Sequence, residues 1–146
     1  MKKLLFCFFF LYCTILAEIL FFGRTADLSI PVTEYFFLHA NFRPFATILR
    51  YILFFLRRRD TESLFLALLN LGGNFTLFFP MGFFFPVLFP FVQKRFAVIF
   101  SAVLLAEVLQ GILRIGVPDI DDLIINMAGA WIGILWGKKF CHPVMS

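Results

Sequence analysis

Charged side chains are scarce in this sequence. They make up 15% of its 146 residues, whereas soluble globular domains carry about 25%. Hydrophobic residues reach 62%, and the mean hydropathy is +0.94. This balance excludes an ordinary soluble domain, and the length excludes a multidomain enzyme. The sequence therefore predicts one domain, over residues 1–146, that lies in a membrane.

Cysteine and histidine are too few and too scattered for the common site chemistries. Cys7, Cys13 and Cys141 show neither metal-ligand spacing nor a disulfide framework. His39 and His142 have no acidic or cysteine partners at zinc spacing. The G-x-S-x-G elbow, the P-loop and the dinucleotide fingerprint are also missing from the sequence. No catalytic residue is identified in this way.

The formal net charge of +4 does not indicate a nucleic-acid partner. Nucleic-acid binding needs basic residues clustered on a solvated face beside a foldable core, and here they stand between long apolar stretches. Phenylalanine supplies 24 residues, in runs such as Phe8-Phe9-Phe10. Basic flanks around apolar runs are typical of membrane spans.

Four apolar segments are predicted to span the membrane. Residues 4–22 would form about 28 Å of helix, close to the thickness of one hydrocarbon core. Residues 63–91 contain several glycines and prolines, so we expect a helix that is kinked near Pro80. Residues 96–113 and 122–137 complete the set.

The fate of the first span and the orientation of the chain in the membrane both leave alternatives open. A basic start before an apolar run is also typical of a signal peptide, which would be cleaved near Ala17. Because the rest of the chain is equally apolar, we expect a retained first span.

Basic residues divide almost evenly between the two membrane sides, but the short basic flanks favour a topology with both chain ends inside.

Between the first two spans, a short amphipathic helix is predicted at the membrane surface. Its polar residues share an arc of about 100° on a helical wheel, while Ile48 and Leu53 lie outside it. The basic residues of this arc are expected to contact lipid headgroups; they are Arg43, Arg50, Arg57 and Arg58. The alternative is a fifth span over residues 35–56, with two of these arginines at membrane depth.

Polar side chains recur on one face of several spans. A charged group at the centre of a membrane helix costs about 2.5–3.5 kcal/mol on insertion scales. Helical spacing places the polar residues of each span on a shared face, and together these faces predict a polar chamber inside the bundle. Its expected lining is Asn70, Asn74, Glu107, Gln110, Arg114, Asp119, Asp122 and Asn126.

The polar face of the last span continues as a stripe of glycines, Gly129, Gly133 and Gly137. Small residues at this spacing let two helix backbones approach closely. The stripe therefore predicts tight helix packing, either within one chain or between two copies in a homo-oligomer.

A structural and a functional explanation both fit the predicted chamber. In the structural one, Asp119 and Asp122 cap the last helix, and Arg114 is their counter-ion. In the functional one, arginines bind the phosphate of a lipid headgroup, and amides and carboxylates orient the rest. No cofactor is expected, although Glu107, Asp119 and Asp122 offer oxygen ligands for a divalent cation such as Mg²⁺ or Ca²⁺.

Two other function classes stay open. A membrane enzyme acting on a phospholipid or glycolipid would use Asp119 or Asp122 as base or metal ligand and Glu107 as acid. A small transporter would need several copies of a four-span chain. Membrane lipids are the expected partners in each case.

Four motifs, in this order, resemble those of the VanZ-like family of membrane proteins. The first is Asn41-Phe42-Arg43-Pro44-Phe45. The second spans residues 70–83 and contains Asn70-Leu71-Gly72-Gly73-Asn74. The third, E-x-x-Q, begins at Glu107, and the fourth, D-x-D-D-x-x-x-N-x-x-G, begins at Asp119. The resemblance covers about residues 41–137.

The resemblance implies a multi-pass protein of the cell membrane that acts in the cell envelope. The family is named for a member that raises resistance to teicoplanin, a glycopeptide antibiotic with an acyl chain. Its implied partners are a lipid-linked precursor or the lipoglycopeptide itself. In one departure, Gly116-Val117-Pro118 stands where a basic residue usually precedes the acidic motif. We expect an all-α integral membrane bundle of about four transmembrane helices plus an interfacial amphipathic helix.

Overall fold

The computed structural model describes residues 2–141, and the elements of this range are helices. In chain order they are α1 (Lys2–Ala17), α2 (Val32–His39), α3 (Ala46–Arg58), α4 (Thr61–Ala67), α5 (Gly73–Leu88), α6 (Arg95–Ile112) and α7 (Ile120–Cys141). A π-helical turn, Glu18–Phe22, extends α1, and a second one, Leu68–Gly72, joins α4 to α5. His142 lies outside the described residues.

Four of these helical segments are long and apolar enough to cross a membrane, which confirms the predicted bundle. They are Lys2–Phe22, Thr61–Leu88, Arg95–Ile112 and Ile120–Phe140. The alternative of a fifth span over residues 35–56 is wrong, because α2 and α3 are separate helices. Between them Asn41 forms a parallel β-bridge with Asp119, and Phe45 has a left-handed backbone, with φ 65°.

The second span departs from α geometry at the π-helical turn Leu68–Gly72. The kink near Pro80 stays a prediction. Pro80 lies inside α5, where a proline removes one backbone donor from the helix. Tyr12 of α1 donates its hydroxyl to the nearby carbonyl of Leu77 at 2.5 Å. This bond attaches α1 to α5 close to the proline.

α5 and α7 form the centre of the bundle, with their backbones in direct contact. The glycine stripe of α7 faces backbone carbonyls of α5, with Gly129, Gly133 and Gly137 lying against Phe75, Phe79 and Phe83 respectively. The stripe therefore packs within the chain. Residues of α1 and α6 complete the core, which consists of Leu16, Leu20, Phe78, Ile99, Val103, Leu123, Met127, Ala130 and Ile134.

α3 corresponds to the predicted amphipathic helix, but Arg43 lies outside it. Arg43 is in the turn before the helix, where its backbone N–H donates to Oδ1 of Asn41 at 3.2 Å. Leu49, Leu53 and Leu56 are half-exposed. An apolar helix face without protein cover is available to lipid, so contact with the membrane surface stays a prediction for α3.

The turn after α3 ends in a well-defined cap. Oδ1 of Asp60 accepts the backbone N–H of Ser63 at 2.7 Å, which caps α4. Arg58 forms a salt bridge with Asp60, with Nε and Oδ2 3.1 Å apart. The hydrogen bonds from Ser63, and to a lesser degree the charge of Arg58, hold the pKa of Asp60 below its usual value. Asp60 therefore stays ionised where it caps the helix.

Candidate functional site

A polar cavity of about 500 Å³ lies where several helix ends meet. It is lined by Leu20, Arg24, Tyr35, Thr47, Arg50, Tyr51, Asn70, Asn74, Glu107, Gln110, residues 115–117, Asp119, Asp122 and Asn126. Gln110 of α6 donates its amide Nε2 to the carbonyl of Leu20, in the π-helical turn after α1, at 2.9 Å. Four spans that alternate in direction place the end of α1, the end of α6 and the start of α7 at one membrane face. That face is opposite to the one where α1 begins.

The structure brings seven of the eight residues of the predicted chamber together in this cavity, and Arg114 is the exception. Arg114 has a left-handed backbone (φ 57°), and its Nη1 donates to the carbonyl of Ile30 at 2.7 Å. Its own carbonyl accepts the N–H of Asp27 at 2.9 Å. Arg114 therefore positions the segment after α1 and does not serve as counter-ion of the acidic motif.

Two arginines that the sequence did not place in the chamber supply its positive charge. Arg24 follows the first span, and Arg50 is in α3, where it was expected to contact lipid headgroups. The guanidinium of Arg24 lies against Gly116, where a Cβ atom would be 3.0 Å from Nη1. Within residues 2–141, neither arginine forms a salt bridge with a carboxylate of the cavity.

Asp119 has the contacts of a capping residue. It is adjacent to the start of α7, and its Oδ1 accepts the N–H of Asp121 at 2.8 Å. Its Oδ2 accepts the hydroxyl of Thr47 at 2.6 Å, and Asn41 donates to it from 3.3 Å. Asp119 thereby joins the first motif to the fourth.

Asp121 is fully buried, and its carboxylate lies at the start of α3. It accepts backbone N–H groups of Phe45, of Thr47 at 2.7 Å and of Ile48 at 3.1 Å. The first N–H groups of a helix lack intrahelical partners and carry partial positive charge. Asp121 was overlooked in the sequence because it lies off the shared polar face. The D-x-D-D motif itself was the available signal.

Asp122 and Glu107 face the polar cavity, each with a neighbouring amide. Asn74 donates its Nδ2 to Oδ1 of Asp122 at 2.6 Å. Asn126 donates its Nδ2 to Oε1 of Glu107 at 3.4 Å. Oδ1 of Asn126 is buried and has no hydrogen-bond partner among the described residues. The cavity thus combines acceptors from acids and amides with donors from two guanidinium groups.

The carboxylates do not form a recognisable metal centre. In the described part of the chain, no group of three His, Cys, Asp or Glu side chains is arranged to hold a metal ion. Asp119 and Asp122 take different hydrogen-bond partners, Thr47 and Asn74. A divalent cation at Glu107, Asp119 and Asp122 stays a prediction without support from ligand geometry.

A family model described as VanZ/LLP1 matches residues 8–140 of the chain. No curated protein and no solved structure gives a significant match. The matched range contains all four motifs and every residue that lines the polar cavity.

Proposed function

The chain belongs to the VanZ/LLP1 family, as its four motifs predicted, and from this premise we propose that it lowers sensitivity to lipid-anchored glycopeptides such as teicoplanin at the cell membrane. In this proposal the polar cavity binds the phosphate-bearing headgroup of an envelope lipid. Binding changes how the drug, or the lipid-linked precursor that it recognises, is positioned at the membrane surface.

The presence of Arg24 and Arg50 in one cavity is the observation that carries this proposal. Neither is engaged in a salt bridge with the carboxylates that share the cavity in the described range. The planar guanidinium group binds phosphate through two parallel hydrogen bonds, which makes arginine the residue best suited to it. Asp122 and Glu107 would accept hydrogen bonds from hydroxyl or amine groups of the same headgroup.

We expect the polar cavity to face the outside of the cell, where an added drug first meets the membrane. Both chain ends would then be inside, as the short basic flanks favour. Thr33 in α2 lies on the same side as the cavity, and Gln93 lies in the connection between α5 and α6 on the other side.

Single cysteines at these two positions test the orientation. In a background without Cys7, Cys13 and Cys141, Thr33→Cys is expected to react with a membrane-impermeant maleimide in whole cells. Gln93→Cys is expected to react only after lysis. The opposite pattern would place the cavity inside and contradict the proposed access of the drug.

Drug susceptibility tests the function itself. In a sensitive Gram-positive host, the chain is expected to raise the minimal inhibitory concentration of teicoplanin but not that of vancomycin. Arg24→Gln and Asp122→Asn are expected to return it to the level of the empty vector, because each removes a charge from the polar cavity. Membrane abundance is measured for every variant and matched.

Matched controls come from charged residues outside the polar cavity. Arg59→Gln removes an exposed arginine from the turn after α3, and Glu62→Gln removes an exposed acid from α4. Both are expected to keep the full teicoplanin effect. If the cavity variants behave like these controls, or if the wild type gives no rise in a well-inserted form, the proposed function is wrong.

A further inference from the structure

An apolar groove of about 610 Å³ lies between α1 and the continuous helix formed by α4 and α5. Its volume falls in the range of about 300–1,000 Å³ that is typical of small-molecule sites. From the first span it is lined by Tyr12, Ile15, Leu16 and Ile19, and the opposite wall includes Leu69 and Leu77. The groove therefore has a predominantly hydrocarbon surface between two membrane-spanning helices.

The apolar groove and the polar cavity adjoin each other. Arg24, Asn70 and Asn74 line both of them. A molecule in the groove would thus extend along α1, pass the guanidinium of Arg24 and enter the polar cavity. The change from apolar to charged lining occurs just beyond Phe22, where the first span ends.

Two hydrogen bonds join the first span to the rest of the bundle along the groove. One is the hydrogen bond from Tyr12 to Leu77, and the other is the bond from Gln110 to Leu20. Between them, Ile15 is 50% exposed and Ile19 is 43% exposed. Hydrocarbon is the occupant that such a surface favours within a bilayer.

We propose that one acyl chain of a membrane phospholipid occupies the apolar groove, with its phosphate at Arg24 and the rest of its headgroup in the polar cavity. The inference rests on the proposed function and adds to it the class of lipid and the path of its chain. The order of chemistry along the two spaces, apolar, then cationic, then polar, is the order of acyl chain, phosphate and headgroup in a phospholipid.

Adjacent glycines in the second span provide a matched pair of variants. A Cβ atom at Gly72 or at Gly73 would meet nothing within 4 Å, and both residues have right-handed helical backbones. Gly73 lines the groove, whereas Gly72 does not. Gly73→Leu therefore fills the groove, and Gly72→Leu adds the same side chain beside it. Thr76→Phe is a second groove-filling variant, since Thr76 also lines the groove.

Photocrosslinking tests the proposal with the full chain reconstituted in phosphatidylcholine and phosphatidylglycerol vesicles. The probe is phosphatidylglycerol with a photoreactive group near the end of one acyl chain. We expect crosslinks to groove residues of α1 and α5, and a loss of about tenfold in Gly73→Leu and in Thr76→Phe, equivalent to about 1.4 kcal/mol of binding free energy. Gly72→Leu is expected to label like the wild type. Equal labelling of all four proteins would overturn the proposal.

A photoreactive diacylglycerol, which has no phosphate, separates the two parts of the site. Arg24→Gln is expected to reduce labelling by the phospholipid but not by the diacylglycerol. If Arg24→Gln reduces neither, the groove is only a nonspecific lipid contact, and the proposal is wrong. Specific labelling without any teicoplanin effect would instead retain the lipid site and reject the proposed function.

Discussion

Replacing Asp121 with alanine is expected to lower the free energy of unfolding by about 3 kcal/mol or more and to detach α3 from α7. The carboxylate is fully buried and accepts the N–H groups of Phe45, Thr47 and Ile48. Alanine leaves these donors without an acceptor, and each buried unsatisfied donor costs about 1–3 kcal/mol. The loss should exceed that of a typical surface substitution by a wide margin.

Thermal unfolding in detergent measures this loss, and hydrogen exchange locates it. The amides of Thr47 and Ile48 are expected to exchange much faster in Asp121→Ala than in the wild type. Asp122→Asn is the matched control, because this neighbouring acid faces the polar cavity. It should retain stability while it loses the teicoplanin effect. If both variants unfold alike, Asp121 does not hold α3 in place.

The spans were predictable because hydropathy and length determine them almost alone. The second span illustrates the limit of this approach. Its apolar content predicts a helix, but it does not predict the π-helical turn Leu68–Gly72. Tyr12 donates to the carbonyl of Leu77 near the proline, a contact from another helix that the local sequence does not reveal.

Helical periodicity located most of the candidate site, but it could not assign the hydrogen-bond partners of each side chain. It placed Asp119, Asp122 and Asn126 on one face of the last span, and the structure brings all three to the polar cavity. It could not show that Asp121 meets the start of α3. That contact depends on the bridge between Asn41 and Asp119, which joins segments far apart in the chain.

The arginines that supply positive charge to the cavity could not be predicted from the sequence either. Arg114 is the arginine nearest to the acidic motif along the chain. Its backbone is left-handed, however, and its guanidinium bonds to the carbonyl of Ile30 and does not line the polar cavity. Arg24 approaches instead from the end of the first span and lies against Gly116. A glycine at 116 leaves room for that guanidinium beside the segment where the family usually has a basic residue.

The glycine stripe of α7 determines how closely the two central helices pack. At Gly133, a Cβ atom would overlap the carbonyl oxygen of Phe79 and lie 2.8 Å from the backbone nitrogen of Phe83. Both neighbours are backbone atoms, which cannot rotate away as a side chain would. Any side chain at this position must therefore move α7 away from α5, and the buried residues at their contact would lose packing.

Gly133→Ala is accordingly expected to lower the free energy of unfolding by about 3 kcal/mol. This is the upper end of the range of about 1–3 kcal/mol that is typical when a well-packed core is overfilled. Thermal unfolding in detergent measures the change. Gly72→Ala is the control, because its Cβ meets nothing within 4 Å and alanine favours helix by about 1 kcal/mol over glycine. Equal stability of the two variants would contradict the packing. A change in oligomeric state without a loss of stability would likewise contradict this packing.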